Sequence, residues 1–185
     1  MVESSSEQNT GAPLPVSPRL EFRTWRQADL SLALELWGDA RVTAFISRTP
    51  WDRSQVEERL GREIHFQEAE GIQYWPVFLR ATGALAGCCG LHPRHSERGV
   101  IELGFHLRPS AWGQGLATEA ARAAAVHAFD ILGASALFAG HHPENAASGR
   151  VLAKLGFRYT HHELYPPTAL LHPCYLLRPD QLSRS

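Results

Sequence analysis

The chain has three cysteines and one methionine in 185 residues, and no apolar run approaching the ~20 residues that cross a bilayer. Cys88 and Cys89 are adjacent, and neighbours on a strand point to opposite faces, so they do not bridge each other. Free thiols in a reducing cytoplasm are the simplest reading, and a cytoplasmic location is expected. A basic excess is also missing: 18 Lys and Arg stand against 19 Asp and Glu, for a formal charge of -1. Surfaces that neutralise nucleic-acid phosphates carry such an excess, so nucleic acid is not an expected partner. The stretch 1–18 lacks the basic and apolar regions of a secretory signal, and no membrane association is expected. There are ten histidines, yet the chain holds neither His-Glu-x-x-His nor Cys-x-x-Cys. The adjacent pairs His141–His142 and His161–His162 diverge on a strand, so no metal is expected.

What remains is a globular composition, 44% hydrophobic and 20% charged, in a length that suits one domain. Residues 1–18, rich in Ser, Pro, Glu and Gln, read as a disordered tail, and 19–180 as a single domain. A strand is predicted from Leu20 to Trp25. Asp29 then opens a helix with Leu30, Ala33, Leu34 and Trp37 on one face. After Asp52 a second helix repeats Val56, Leu60 and Ile64, which leaves Glu57, Glu58, Arg59, Arg62 and Glu63 to face water, and it ends near Gly71. Strands follow at Tyr74–Arg80, Ala84–Leu91 and, beyond a polar loop at 93–99, Val100–Leu107. An alanine-rich helix over 116–132, a buried strand over 134–140, a short helix over 146–155 and strands at 157–164 and 172–177 complete an α+β order.

The chemistry lies where the third of these strands meets the alanine-rich helix. Trp112-Gly113-Gln114-Gly115-Leu116-Ala117 sits at the helix start. Glycines let the backbone approach a ligand closely, and the first helical turn offers unpaired N–H groups and a dipole favouring negative charge. Together they make a pyrophosphate cradle, although a Gly-x-Gly also serves as a plain tight turn. No Gly-Lys-Ser/Thr follows, as a P-loop requires, and there is no third glycine, as a dinucleotide fingerprint requires. A second block, Asn145-Ala146-Ala147-Ser148 leading to Lys154-Leu155-Gly156-Phe157, puts a polar residue at a strand end before a short helix.

With the strand Ile101-Glu102-Leu103-Gly104-Phe105, these blocks resemble the GNAT superfamily of N-acetyltransferases, in the branch of the RimJ/RimL-type ribosomal-protein enzymes. The resemblance spans nearly all the chain except the tail. It implies a three-layer fold with a mixed, mostly antiparallel, splayed sheet flanked by helices. Acetyl-CoA would sit in the splay as cosubstrate. The strand edge at Phe105, His106 and Leu107 would pair with the pantetheine amides. Backbone N–H groups around Gly113, Gln114, Gly115, Leu116, Ala117 and Thr118 would hold the pyrophosphate. Trp112 stands where many members have Gln or Arg, so its side chain is given no phosphate contact.

The same resemblance makes Glu102 the base that takes a proton from the acceptor amine, with a solvent-facing strand residue as the plain alternative. His106 has the same strand parity and is the second candidate. Many members supply the acid from a Tyr, but the matching position here is Leu152, so Ser148 is the substitute. The alternative is a serine bonded to local backbone. Asn145 is expected to bond the pantetheine, to cap the helix, or both. The implied activity is direct transfer of acetyl from acetyl-CoA to a primary amine, on a protein N-terminus, a small molecule or an antibiotic. The rival is a non-catalytic coenzyme A-binding sensor or assembly module. A homodimer is left open.

Overall fold

Short connections dictate three neighbouring strands of the sheet. In the computed structural model, which describes residues 13–94 and 97–184, β1 (Leu20–Phe22), β2 (Tyr74–Leu79), β3 (Leu85–Pro93) and β4 (Val100–Leu107) lie side by side and antiparallel. The β2–β3 turn is closed by Gly83 at φ 71°, donating its N–H to the Leu79 carbonyl. A parallel neighbour cannot be reached through a tight turn, so the chain crosses over by the helix α4 (Leu116–Asp130) before β5 (Ala136–Gly140) joins β4. After α5 (Ala146–Leu155), β6 (Arg158–Tyr165) and β7 (Leu170–Leu177) form an antiparallel hairpin, giving the order β1-β2-β3-β4-β5-β7-β6. Among the described residues, only the β4–β5 pairing is parallel.

Helices cover both faces. On one lie α1 (Leu30–Trp37), α2 (Ala40–Thr43) and α3 (Arg53–Glu70), whose Trp37, Val56 and Leu60 pack with Tyr74, Phe78 and Cys88 of the sheet. On the other, α4 buries Ala120, Ala121, Ala124, Ala125 and Ala128 against Trp75, Val77, Cys89 and Leu103. Methyl-sized side chains there let the helix approach the strands closely. The α3 ends follow the sequence: Asp52 and Gln55 form a capping box, and Gly71 stops the helix at φ 72°. The three cysteines are free and buried, as the spacing suggests. Among the described residues no helix is long and apolar enough to cross a membrane.

Several expectations need correction. Of the tail, 1–12 lies outside the described residues, as do His95 and Ser96 of the 93–99 loop. The remainder of the tail is packed in part: Leu14 touches the core and Ser17 is buried, while Val16 is exposed. The first strand stops at Phe22, and Pro93 belongs to β3 rather than to the loop. Most consequential, Arg59 and Glu63 do not face water but are buried. They sit one residue before Leu60 and Ile64, at the edge of the apolar stripe, and the sheet beneath supplies polar partners that the helix pattern alone cannot reveal.

Candidate active site

The sheet comes apart at a definite point. β4 pairs with β5 through Val100–Ala136, Ile101–Leu137 and Glu102–Phe138, and beyond Glu102 it has β3 on one side only. Glu102 therefore stands at the vertex of a wedge, and the strand edge from Leu103 to Leu107 runs unpaired toward the glycine loop. A cleft of about 690 Å³ opens at this vertex. Glu102, Phe105 and His106 line it from β4, and Asn145 and Ser148 from the start of α5, whereas Leu107 and the stretch from Gly113 to Thr118 do not line it. The side chain of Leu107 instead packs into the α4-side core, leaving its backbone at the edge.

Tyr74 is the residue that organises Glu102. Its hydroxyl donates to Glu102 Oε1 at 3.1 Å. Burial, with the Glu102 charge adding to it, pushes the phenol well above its ordinary range, so it remains a donor. Gly104 makes room for it: a Cβ there would fall 2.0 Å from the Tyr74 hydroxyl oxygen. His92 stacks on the other side of the ring, with centroids 3.8 Å apart.

No bulge interrupts β4, so His106 shares the face of Glu102. Two features weigh against its acting as the base. Trp37 Nε1 donates to His106 Nδ1 at 3.2 Å, which puts the proton of the neutral ring on Nε2. Burial, reinforced by the Arg59 charge, pushes the imidazole down to about 3. Cys88 Sγ lies 3.8 Å from the same nitrogen, a pairing that sequence reading missed. Burial raises that thiol far above neutrality, so the pair does not make a nucleophile.

Beneath Tyr74 lies a buried charge cluster. Glu63 Oε2 accepts the Tyr74 N–H at 2.8 Å, and His92 Nε2 faces both Glu63 oxygens at 3.0 and 2.9 Å. Burial alone would raise Glu63, but Arg59, His92 and the Tyr74 N–H outweigh it and hold the carboxyl down to about 2. Arg59 Nη2 is 2.6 Å from Glu63 Oε1.

At the far end of the β4 edge, Gly113 and Gly115 adopt φ 73° and 75°, the left-handed region that favours glycine. Trp112 is half exposed and donates Nε1–H to the Leu107 carbonyl at 2.8 Å, pinning the loop to the strand end. Leu116 is buried, so at that position only the backbone is on offer. Among the described residues, no acceptor bonds the backbone N–H groups from Gly113 to Thr118. Arg19, whose guanidinium reaches this loop, carries no signal in the sequence pattern. Its Nη1 donates to the Gln114 carbonyl at 3.2 Å and its Nε to Glu119 at 2.6 Å, and Ser17 Oγ donates to the same carboxylate.

On the opposite wall, Asn145 Oδ1 accepts the Ser148 N–H at 3.1 Å, so Asn145 caps α5 and leaves its amide NH₂ for other work. Ser148 Oγ makes no hydrogen bond among the described residues, unlike a serine bonded to local backbone. Leu152 is buried. His161, Glu163 and Cys174 bring donor atoms within 4.8 Å of one another because the β6–β7 register sets Cys174 opposite His161. Arg94 already holds that carboxylate, with Nη2 3.3 Å from Glu163.

The acetyltransferase (GNAT) domain family matches this chain over residues 19–158. An uncharacterised N-acetyltransferase of Bacillus licheniformis, p20, is 29% identical over 142 residues, which is 76% of this chain and 79% of that protein. A GNAT-family acetyltransferase from Bacillus anthracis has a similar fold, with TM-score 0.77 at 20% identity over 91% of this chain and 99% of its own. Mycobacterium smegmatis RimJ, solved in complex with CoA-disulfide, gives TM-score 0.75 at 18% identity over 90% of this chain and 85% of its own. These two likenesses carry the fold, and the domain match carries the family. Since that match runs from 19 to 158 across both walls of the wedge, the chain belongs to the GNAT acetyltransferase family and is an N-acetyltransferase of that type.

Proposed function

We propose that the protein transfers the acetyl group of acetyl-CoA directly to a primary amine, with both substrates bound together. The observation that carries this reading is the position of Glu102, a carboxylate at the vertex of the splay, held by the Tyr74 hydroxyl and lining one cleft with Ser148. The unpaired β4 edge offers strand-like N–H and C=O groups to the pantetheine amides, and buried backbone groups require such partners. The N–H groups of Gly113 to Thr118 suit the pyrophosphate, with the Arg19 guanidinium beside them.

An alkyl ammonium has a pKa near ~10, so the amine has to lose a proton before it attacks. Glu102 accepts that proton. The amine nitrogen then bonds to the thioester carbonyl carbon, the carbon–sulfur bond breaks, Ser148 Oγ–H protonates the departing thiolate, and the second proton of the attacking nitrogen passes to Ser148 Oγ while Glu102 releases its own to solvent. The products are an amide and the free thiol. The test is thiol release from acetyl-CoA across a panel of amines, with the acetylated product identified by mass. Tight acetyl-CoA binding without release on any amine would instead support a non-catalytic sensor.

A further inference from the structure

Arg59 is a buried cation whose hydrogen-bonding capacity the chain leaves unspent. Its side chain is 9% exposed, and among the described residues its Nε and Nη2 are the buried side-chain nitrogens without a hydrogen-bond partner. Glu63 comes within 2.6 Å of Nη2 but out of hydrogen-bond alignment, and its oxygens already serve Tyr74 N–H and His92. The guanidinium carbon lies 5.2 Å from the ring centres of both Trp37 and Tyr74, which fix the plane of the fork without using its protons. A guanidinium offers five N–H donors in a planar fork, and burying donors unmade is costly unless something completes them.

That fork lines the same cleft as Glu102, with the Tyr74 ring between them: guanidinium on its face, Glu102 on its hydroxyl. Arg62, one turn along α3, also lines the cleft and makes no ion pair or hydrogen bond among the described residues. Arg59 and Arg62 against Glu63 leave the α3 wall one positive charge, the paired Arg94 and Glu163 of the lining cancel, and Glu102 supplies one negative charge at the vertex. The complement of such a cleft is a zwitterion.

We propose that the acceptor is a small amine carrying its own carboxylate, an amino-acid-like molecule whose carboxylate enters the Arg59 fork while its amine meets Glu102. Planar, bidentate geometry matches guanidinium to carboxylate. A peptide N-terminus keeps its main-chain carboxylate at the distant end, so only a peptide that begins with an acidic side chain satisfies both groups. The inference rests on Glu102 as the base.

The test uses the wild-type protein with acetyl-CoA and matched acceptors: α-, β- and γ-amino acids, each against its own carboxamide, and short peptides. At the fitting chain length the acid should exceed its amide in kcat/KM by roughly 10- to 100-fold, as for a charge-assisted hydrogen-bonded contact. The difference should lie mostly in KM, because the carboxylate is held alike before and during transfer. Arg59→Lys, which keeps the charge but loses the fork, should pull that ratio toward unity. So should the double variant Arg59→Gln/Glu63→Gln, which avoids stranding a buried carboxylate. Equal turnover of acids and amides, a ratio that survives both variants, or turnover of peptides alone would overturn the carboxylate while leaving the transferase intact. Acetyl-CoA binding with no thiol release on any amine would overturn both.

Discussion

Acid should begin to unfold this protein through His106 well before it reaches the buried carboxylate. The ring's Nδ1 is occupied by the Trp37 N–H, and burial together with the Arg59 charge holds the imidazole near 3 against an ordinary value of 6.5. As pH falls below 6.5 the unfolded chain takes up a proton that the folded chain refuses. The contribution of His106 is therefore complete above pH 6.5 and is eroded as pH drops toward 3. The slope is about 1.4 kcal/mol per pH unit, which amounts to about 2 kcal/mol between pH 7 and 5, a substantial part of an ordinary domain's 5–15 kcal/mol. Glu63, held down to about 2, has the same sign, but its contribution is lost only between pH 4.5 and 2, below this window. His127 and His172 are also lowered by burial and add slope, but equally in wild type and variant. His106→Gln removes the titration and keeps an acceptor for Trp37. Urea denaturation from pH 7.5 to 5.0 should show the variant losing less stability than wild type, by about 2 kcal/mol over pH 7 to 5. Parallel curves would refute the buried, neutral imidazole.

Glu102→Gln keeps the shape and an acceptor for Tyr74 but cannot take a proton, so turnover should fall ~100- to 10,000-fold and partly recover at high pH, where more amine is neutral. A pH-independent, near-native rate would return Glu102 to a structural role. Ser148→Ala should slow turnover far more than it weakens acetyl-CoA binding in calorimetry, because the contact forms as the thiolate leaves. Gly115→Val would be strained by its left-handed backbone, so Gly115→Asn, which tolerates φ 75°, is the cleaner variant. A near-native melting temperature with weakened acetyl-CoA binding is expected, and unchanged binding would reduce the loop to a turn.

The parts of the site that are legible in the sequence are those set by local rules. Periodicity separated strands from helices, the two glycines marked a tight loop whose backbone is left-handed, and Asn145, expected as a helix cap or a pantetheine contact, does cap α5. Strand parity put Glu102 and His106 on one face, and they lie there. Illegible parts depend on partners far along the chain. Arg59 and Glu63 look solvated on a helical wheel, and only the arrival of Tyr74 and His92 from two strands gives them a buried setting. The glycine at 104 is readable as a close approach, but not as an approach by Tyr74. Nothing near Arg19 marks it as a neighbour of Gln114, 95 positions away.

The short parallel ladder also bears on how the molecule assembles. β1 to β4 pair with consecutive neighbours, although the helices between β1 and β2 lengthen one connection, whereas β5, β6 and β7 pair among themselves. Just three residue pairs, ending at Glu102–Phe138, stitch one half-sheet to the other. Antiparallel neighbours close cheaply, but a parallel contact has to wait for a whole crossover helix. The local β2–β4 meander and β6–β7 hairpin are therefore expected to form early, and the β4–β5 ladder, which waits for α4, to close last. The carboxylate at the vertex acquires its opposite wall only in that last event, so the candidate cleft and the folding seam occupy the same place.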